Sequence, residues 1–105
     1  MFTVVETLIF QRIWPHYWTE GERGEFCAYI ADNHEAGDVV AQSGGVRKVR
    51  WARDGVGKSG GVRVIYFTRI EVGEVVLLTM YAKSKLGTLK ASTLKELRNA
   101  IEKIR

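Results

Sequence analysis

A chain of 105 residues, 46% hydrophobic and 27% charged with a single proline, holds enough apolar material for one core and is too short for two independent domains. Its one cysteine, Cys27, excludes an intramolecular disulfide and a multi-cysteine metal site, and fits a small core residue in a reducing compartment. The net charge of +4 is divided unevenly: residues 1–40 carry −5, residues 41–70 carry +6 with Asp54 as their lone acid, and residues 71–105 carry +3. A central basic block is the electrostatic footprint of a polyanionic partner, set against the plainer reading of a solvated face. The absence of a run of eighteen apolar residues and of a basic leader predicts neither a membrane span nor a signal peptide, and a cytoplasmic location.

Residues 2–6 are β-prone. From Leu8 to Trp18, the apolar residues Ile9, Phe10, Ile13, Trp14 and Tyr17 recur at helical spacing, and Pro15 interrupts or ends that helix. A second helix is predicted from Thr19 or Glu20 to Asp32, with Phe26, Cys27, Tyr29 and Ile30 inward and Glu20, Glu22 and Glu25 near its start, where carboxylates suit the helix dipole. Gly21 and Gly24 work against it. Residues 33–45 read as turns, with Gly44-Gly45 leading into the sheet.

Three strands are predicted next, Val46 to Ala52, Val62 to Ile70 and Glu74 to Lys83, joined by short glycine-containing links and therefore forming an antiparallel meander. The last helix is predicted to open on a capping box, Thr93-Leu-Lys-Glu96, and to carry Leu94, Leu97, Ala100, Ile101 and Ile104 on one face, which packs against the rest of the domain. The expected fold is a single α+β domain over residues 1–105: an antiparallel sheet with two N-terminal helices and a C-terminal helix.

Two motifs carry chemistry. Ala52-Arg-Asp-Gly-Val-Gly-Lys58-Ser59 matches a relaxed phosphate-binding loop, but that loop works only when a helix follows it, and Gly-Gly-Val-Arg-Val-Ile-Tyr-Phe reads as a strand. A glycine-rich hairpin presenting Lys58 is the better reading. The second constellation rests on alternation: in a strand Lys48 and Arg50 share one face, while Arg47, Val49 and Trp51 take the other. If Arg63 in the neighbouring strand joins the first face, three cations converge with no carboxylate close in sequence. Such a cluster is costly without an anion, although exposed sheet faces often carry charge.

The segments Gly44-Gly-Val-Arg-Lys-Val-Arg-Trp51, Gly57-Lys-Ser-Gly-Gly-Val-Arg-Val-Ile-Tyr-Phe67 and Val76-Leu-Leu-Thr-Met-Tyr-Ala-Lys83 resemble the RelE/HigB toxins, the HigB-like branch most closely, and the element order agrees over nearly the whole chain. The resemblance implies a RelE-like fold and a toxin of a toxin-antitoxin system that cleaves mRNA on the ribosome, with a cognate antitoxin, the ribosome and mRNA as partners, and neither membrane nor small-molecule cofactor. It places the family's functional basic residues on Lys48, Arg50 and Arg63. Some members carry an arginine and a tyrosine where this chain has Ser84 and Lys90; Tyr81, Lys83, Lys85 and Lys90 are the residues that would substitute. Arg47, Arg53 and Lys58 complete the RNA-contacting set.

RNA supplies its own nucleophile, the ribose 2′-OH, so a nuclease needs to align it and stabilise the phosphorane, without a metal. Arg50 and Arg63, as planar forks, suit the phosphate oxygens. Arginine stays protonated, whereas a lysine among cations can give up its proton, which makes Lys48 the candidate base. Lys83, Lys58 or Tyr81 would protonate the leaving oxygen. His16 and His34 read as structural or exposed, which disfavours a histidine-pair nuclease. Trp51 and Tyr81 stand beside basic residues and could stack on bases, with core packing the plainer role for Trp51. Two rival readings are a ParE-like gyrase inhibitor on the same fold and a non-catalytic RNA-binding module.

Overall fold

The computed structural model describes residues 1–52, 61–82 and 90–104, with backbone only at 103 and 104. Strand β1 (Thr3–Glu6) runs into Thr7, whose hydroxyl accepts from the Phe10 amide at 3.2 Å and donates to the Leu77 carbonyl at 2.9 Å. It thereby caps α1 (Leu8–Ile13) and ties that helix to the sheet. Helix α1 stops short of the predicted Trp18 because Pro15 brings no N–H; Trp14–His16 tighten into a 3-10 turn instead. The turn delivers Trp18 into the core, and Phe10 is buried with it.

Helix α2 (Glu20–Asp32) opens on a reciprocal cap: the Thr19 amide donates to Glu22 Oε1 at 2.8 Å and the Glu22 amide to Thr19 Oγ1 at 3.2 Å. Phe26 and Ile30 point inward as expected. Tyr29 does not: it is 38% exposed and leans on Trp51, and Cys27 is half-buried, because the inward stripe of this helix is only as wide as Phe26, Ile30 and Ala31.

The turn-rich stretch contains a two-residue strand that sequence reading missed, β2 (Asp38–Val39), paired antiparallel with Arg47 and Lys48. Gly44 and Gly45, both with positive φ, then turn the chain into β3 (Arg47–Trp51). Strands β4 (Val62–Arg69) and β5 (Glu74–Ala82) complete the antiparallel meander, and β1 adds to β5 in parallel, so the five-stranded sheet is mixed, in the order β1-β5-β4-β3-β2. Because Val62 onward is strand, no helix follows the phosphate-loop-like segment; residues 53–60 themselves lie outside the described residues. The final helix, α3 (Ala91–Ile104), begins before the predicted capping box. The Leu94 amide already bonds the Lys90 carbonyl at 3.1 Å, so Thr93 sits inside the first turn.

Helices cover both faces. On one, Phe10, Trp18, Phe26 and Ile30 pack on Val49, Val62, Val64, Tyr66, Val75, Leu77 and Met80; on the other, Leu94, Leu97 and Ile101 of α3 meet Val46, Ile65, Phe67, Val76 and Leu78. The side chain of Ile104 lies outside the described residues.

The link between α2 and β2 is clamped from below by Tyr66, whose fully buried hydroxyl donates to the His34 carbonyl at 2.9 Å and accepts from the Gly37 amide at 2.8 Å. Burial pushes the phenol above its ordinary range, so it stays neutral. Gly37 has to be glycine here, since a Cβ would stand 2.9 Å from the Lys48 carbonyl oxygen. Tyr66→Phe removes both bonds and leaves a buried amide and carbonyl unpaired, for an expected loss of about 2 kcal/mol in urea unfolding. A loss below about 0.5 kcal/mol would show that water replaces the hydroxyl at little cost.

Candidate nucleic-acid interface

The register of β3 against β4 places Arg50 directly opposite Arg63 and Lys48 opposite Ile65. Lys48, Arg50 and Arg63 therefore share one face, the α3 side of the sheet, and continue in line from the apolar residues Val46, Ile65 and Phe67. Opposed residues of an antiparallel pair stand about 5 Å apart at Cα, and like charges so placed repel. Arg50 is exposed and Arg63 and Lys48 are half-buried. No ion pair among the described residues includes any of the three; those present are Glu6–Arg23, Glu20–Arg23, Arg69–Glu74, Arg69–Glu102 and Arg98–Glu102.

Strand β5 adds a third member to the row. A bulge between Ile65 and Tyr66 shifts the β4–β5 register by one, so that Arg63 faces Tyr81, and Ile65 faces Thr79. Tyr81 is 5% exposed among the apolar residues under α3, which suits packing beside Arg63 more than open contact with RNA. Strand β2 brings in a residue that no sequence pattern pointed to: Asp38, exposed and opposite Lys48. The cations are thus not free of neighbouring carboxylates, although none is near in sequence.

The other predicted contacts separate. Arg47 projects to the opposite face and donates to the carbonyls of Gly37 at 2.7 Å and Glu35 at 3.4 Å, fastening the same link that Tyr66 holds. Lys90 is exposed just before α3. Arg53, Lys58, Lys83 and Lys85 lie outside the described residues. His16 is exposed after α1, while His34 stacks on Phe2 at 4.0 Å with the rings 7° from parallel, so the two histidines sit in unrelated settings. Among the described residues, no group of three or more His, Cys, Asp or Glu is placed to hold a metal ion. Nor is any described helix long and apolar enough to cross a membrane.

Two concavities differ in character. An apolar groove of about 240 Å³ between α1 and α3 is lined by Val5, Leu8, Ile9, Val76 and Ile101, with Arg69 its one charged wall. A second groove of about 310 Å³ lies where β3 ends and β4 begins and has Arg50, Trp51, Ala52, Gly61, Val62 and Arg63 as its walls. Only the second joins converging cations to an aromatic surface, which is the combination a nucleic-acid strand requires.

Cys27 takes no part in this site. Burial, reinforced by the neighbouring Glu6 carboxylate, pushes its thiol from 9.0 up to about 11. Between about pH 9 and pH 11 the unfolded chain releases this proton and the folded chain keeps it, so the thiol's contribution to stability is complete below pH 9 and lost as pH rises through 11. Alkylation by iodoacetamide at pH 8 is accordingly expected to be far slower than in urea-unfolded protein; equal rates would contradict the raised value.

No family model matches the chain. Among solved structures it is similar to a double arginine-to-alanine mutant of the E. coli toxin RelE in the free state, with 14% sequence identity, a TM-score of 0.59, and coverage of 99% of this chain and 98% of that one. At that identity the likeness carries the fold: a RelE-like α+β domain, with three α-helices and a mixed five-stranded sheet among the described residues.

Proposed function

We propose that this chain is the toxin of a toxin-antitoxin pair, of the HigB-like branch, and that it cuts mRNA on the ribosome as a metal-independent endoribonuclease in the cytoplasm. The observation that carries the reading is the opposed pair Arg50 and Arg63, with Lys48 next on the same face, unpaired within 4.0 Å among the described residues and set on a fold shared with the toxin RelE. A ParE-like gyrase inhibitor on this fold has no use for such a row.

In the proposed reaction, Lys48 accepts the proton of the ribose 2′-OH, and the 2′-oxygen attacks the adjacent phosphorus. The negative charge gathering on the phosphorane oxygens meets the guanidinium forks of Arg50 and Arg63. The bond to the 5′-oxygen breaks, and that oxygen takes a proton, a role assigned to Lys83, with Lys58 and Tyr81 as the other donors. The products are a 2′,3′-cyclic phosphate and a 5′-hydroxyl. The ribosome supplies alignment of the mRNA, and a cognate antitoxin covers the basic face.

The test is purified protein with ribosomes stalled on a defined mRNA, mapping new 5′ ends beside ribosome-free RNA. Cleavage confined to ribosomes and leaving 5′-hydroxyl ends supports the reading, and free 3′-hydroxyl ends reject the chemistry. Intact RNA from folded, antitoxin-free protein leaves two alternatives: salt-sensitive RNA binding would indicate a binding module, and inhibited DNA gyrase a ParE-like toxin.

A further inference from the structure

We propose that Trp51 is a base-recognising residue of this interface, its indole stacking on a nucleobase of single-stranded RNA whose phosphate lies on Arg50 and Arg63. The inference rests on the proposal that the ligand is RNA and adds to it the residue that reads a base.

Three observations converge. Trp51 is half-buried and forms a wall of the same groove as Arg50 and Arg63; its volume of about 310 Å³ falls at the lower end of the range of about 300–1,000 Å³ for small-ligand sites, which suits one nucleotide. The ring is held in place beforehand: Phe26 meets it nearly perpendicular, at 83° and 5.2 Å, and Tyr29 lies against it at 5.1 Å. A stacking platform that is already fixed gives up little rotamer freedom on binding. Finally, β2 pairs with Arg47 and Lys48 only, so the margin of β3 from Val49 to Trp51 is not covered by that strand.

The geometry also selects the ligand. Neighbouring residues of a strand project to opposite faces, so a molecule touching both Arg50 and Trp51 has to curl round the margin of β3. A flexible single strand with its base splayed from the phosphate does this, and a stiff duplex does not. Tyr81, the other aromatic next to the cations, is enclosed beneath α3 and leaves the role to Trp51.

The experiment compares two uncleavable probes by fluorescence anisotropy: a fully 2′-O-methylated hexaribonucleotide and the same backbone without bases. Wild type is expected to prefer the base-bearing probe by roughly 5- to 100-fold, the range of one stacked base. Trp51→Leu should abolish that preference with abasic affinity unchanged, Trp51→Phe should keep part of it, and Arg63→Ala should weaken both probes alike. If Trp51→Leu does not fold, Trp51→Phe, which preserves aromatic packing on Phe26 and Tyr29, gives the same comparison. Equal affinity of wild type for both probes, or an equal loss on both in the Trp51 variants, overturns the inference and leaves the nuclease reading standing. Failure of wild type to bind either probe also overturns this inference, while the nuclease reading stands or falls separately on the ribosome cleavage assay.

Discussion

Replacing Arg63 with alanine is expected to slow mRNA cleavage on the ribosome by about 100- to 1,000-fold, the usual effect of removing one preorganised donor from a developing anion. The same substitution is expected to raise stability slightly, by about 0.2–1 kcal/mol, because it relieves the repulsion between two arginines set directly opposite each other. The opposite signs make the prediction sharp. A residue placed for packing loses activity through unfolding, and its melting temperature falls; a residue placed for an anion loses activity while the fold tightens. Single-turnover cleavage on stalled ribosomes and a thermal melt, run on the same preparation, read both. Arg63→Lys should recover part of the rate, since it restores charge without the two-pronged fork. Full activity in Arg63→Ala would remove this residue from the mechanism, and a lowered melting temperature would make its role structural.

Much of the fold is legible because its signals are local. The alternation in Val46 to Trp51 and Val62 to Arg69, the glycines between strands and the helical spacing after Lys90 each depend on a few neighbouring residues. They yield the meander, its faces and α3, and hence the shared face of Lys48 and Arg50. What failed to be legible depends on pairing at a distance. The parallel addition of β1 to β5 joins residues some seventy positions apart, and β2 is two residues whose strand character comes wholly from Arg47 and Lys48.

The site shows the same division on a finer scale. Counting back from the Arg69–Glu74 pair at the β4–β5 turn puts Met80 opposite Arg63, and only the bulge at Ile65/Tyr66 replaces it with Tyr81. Nothing in the composition of that stretch announces a bulge. Asp38 reaches Lys48 only through the pairing of β2, a strand too short to leave a pattern of its own, which is why a rule about carboxylates near in sequence missed it. Arg47 shows the converse: its parity is legible, but the carbonyls of Glu35 and Gly37 that occupy it belong to a turn-rich link whose path the sequence does not specify.

Phe26→Ala is expected to be the most destabilising single truncation considered, costing about 3–5 kcal/mol. Phe26 is completely buried on the inner face of α2 and touches both Trp18 and Trp51, each with its ring centre 5.2 Å away. Its removal leaves a void between two large rings that are fixed to different elements, Trp18 after the 3-10 turn and Trp51 in β3, so neither can move far to fill it. A domain of this size has a total stability of about 5–15 kcal/mol, so the loss is a large share of it and should lower the melting temperature by about 12 °C or more. The denaturant midpoint should fall with the slope unchanged. Phe26 also sets the perpendicular support of Trp51, and this links the core to the proposed stacking. At a temperature where Phe26→Ala remains folded, the preference for base-bearing over abasic probe should shrink while abasic affinity, set by Arg50 and Arg63, stays the same. A preference that survives intact would mean that Tyr29 alone holds the Trp51 ring, and a stability loss below about 1 kcal/mol would mean that the core closes around the void.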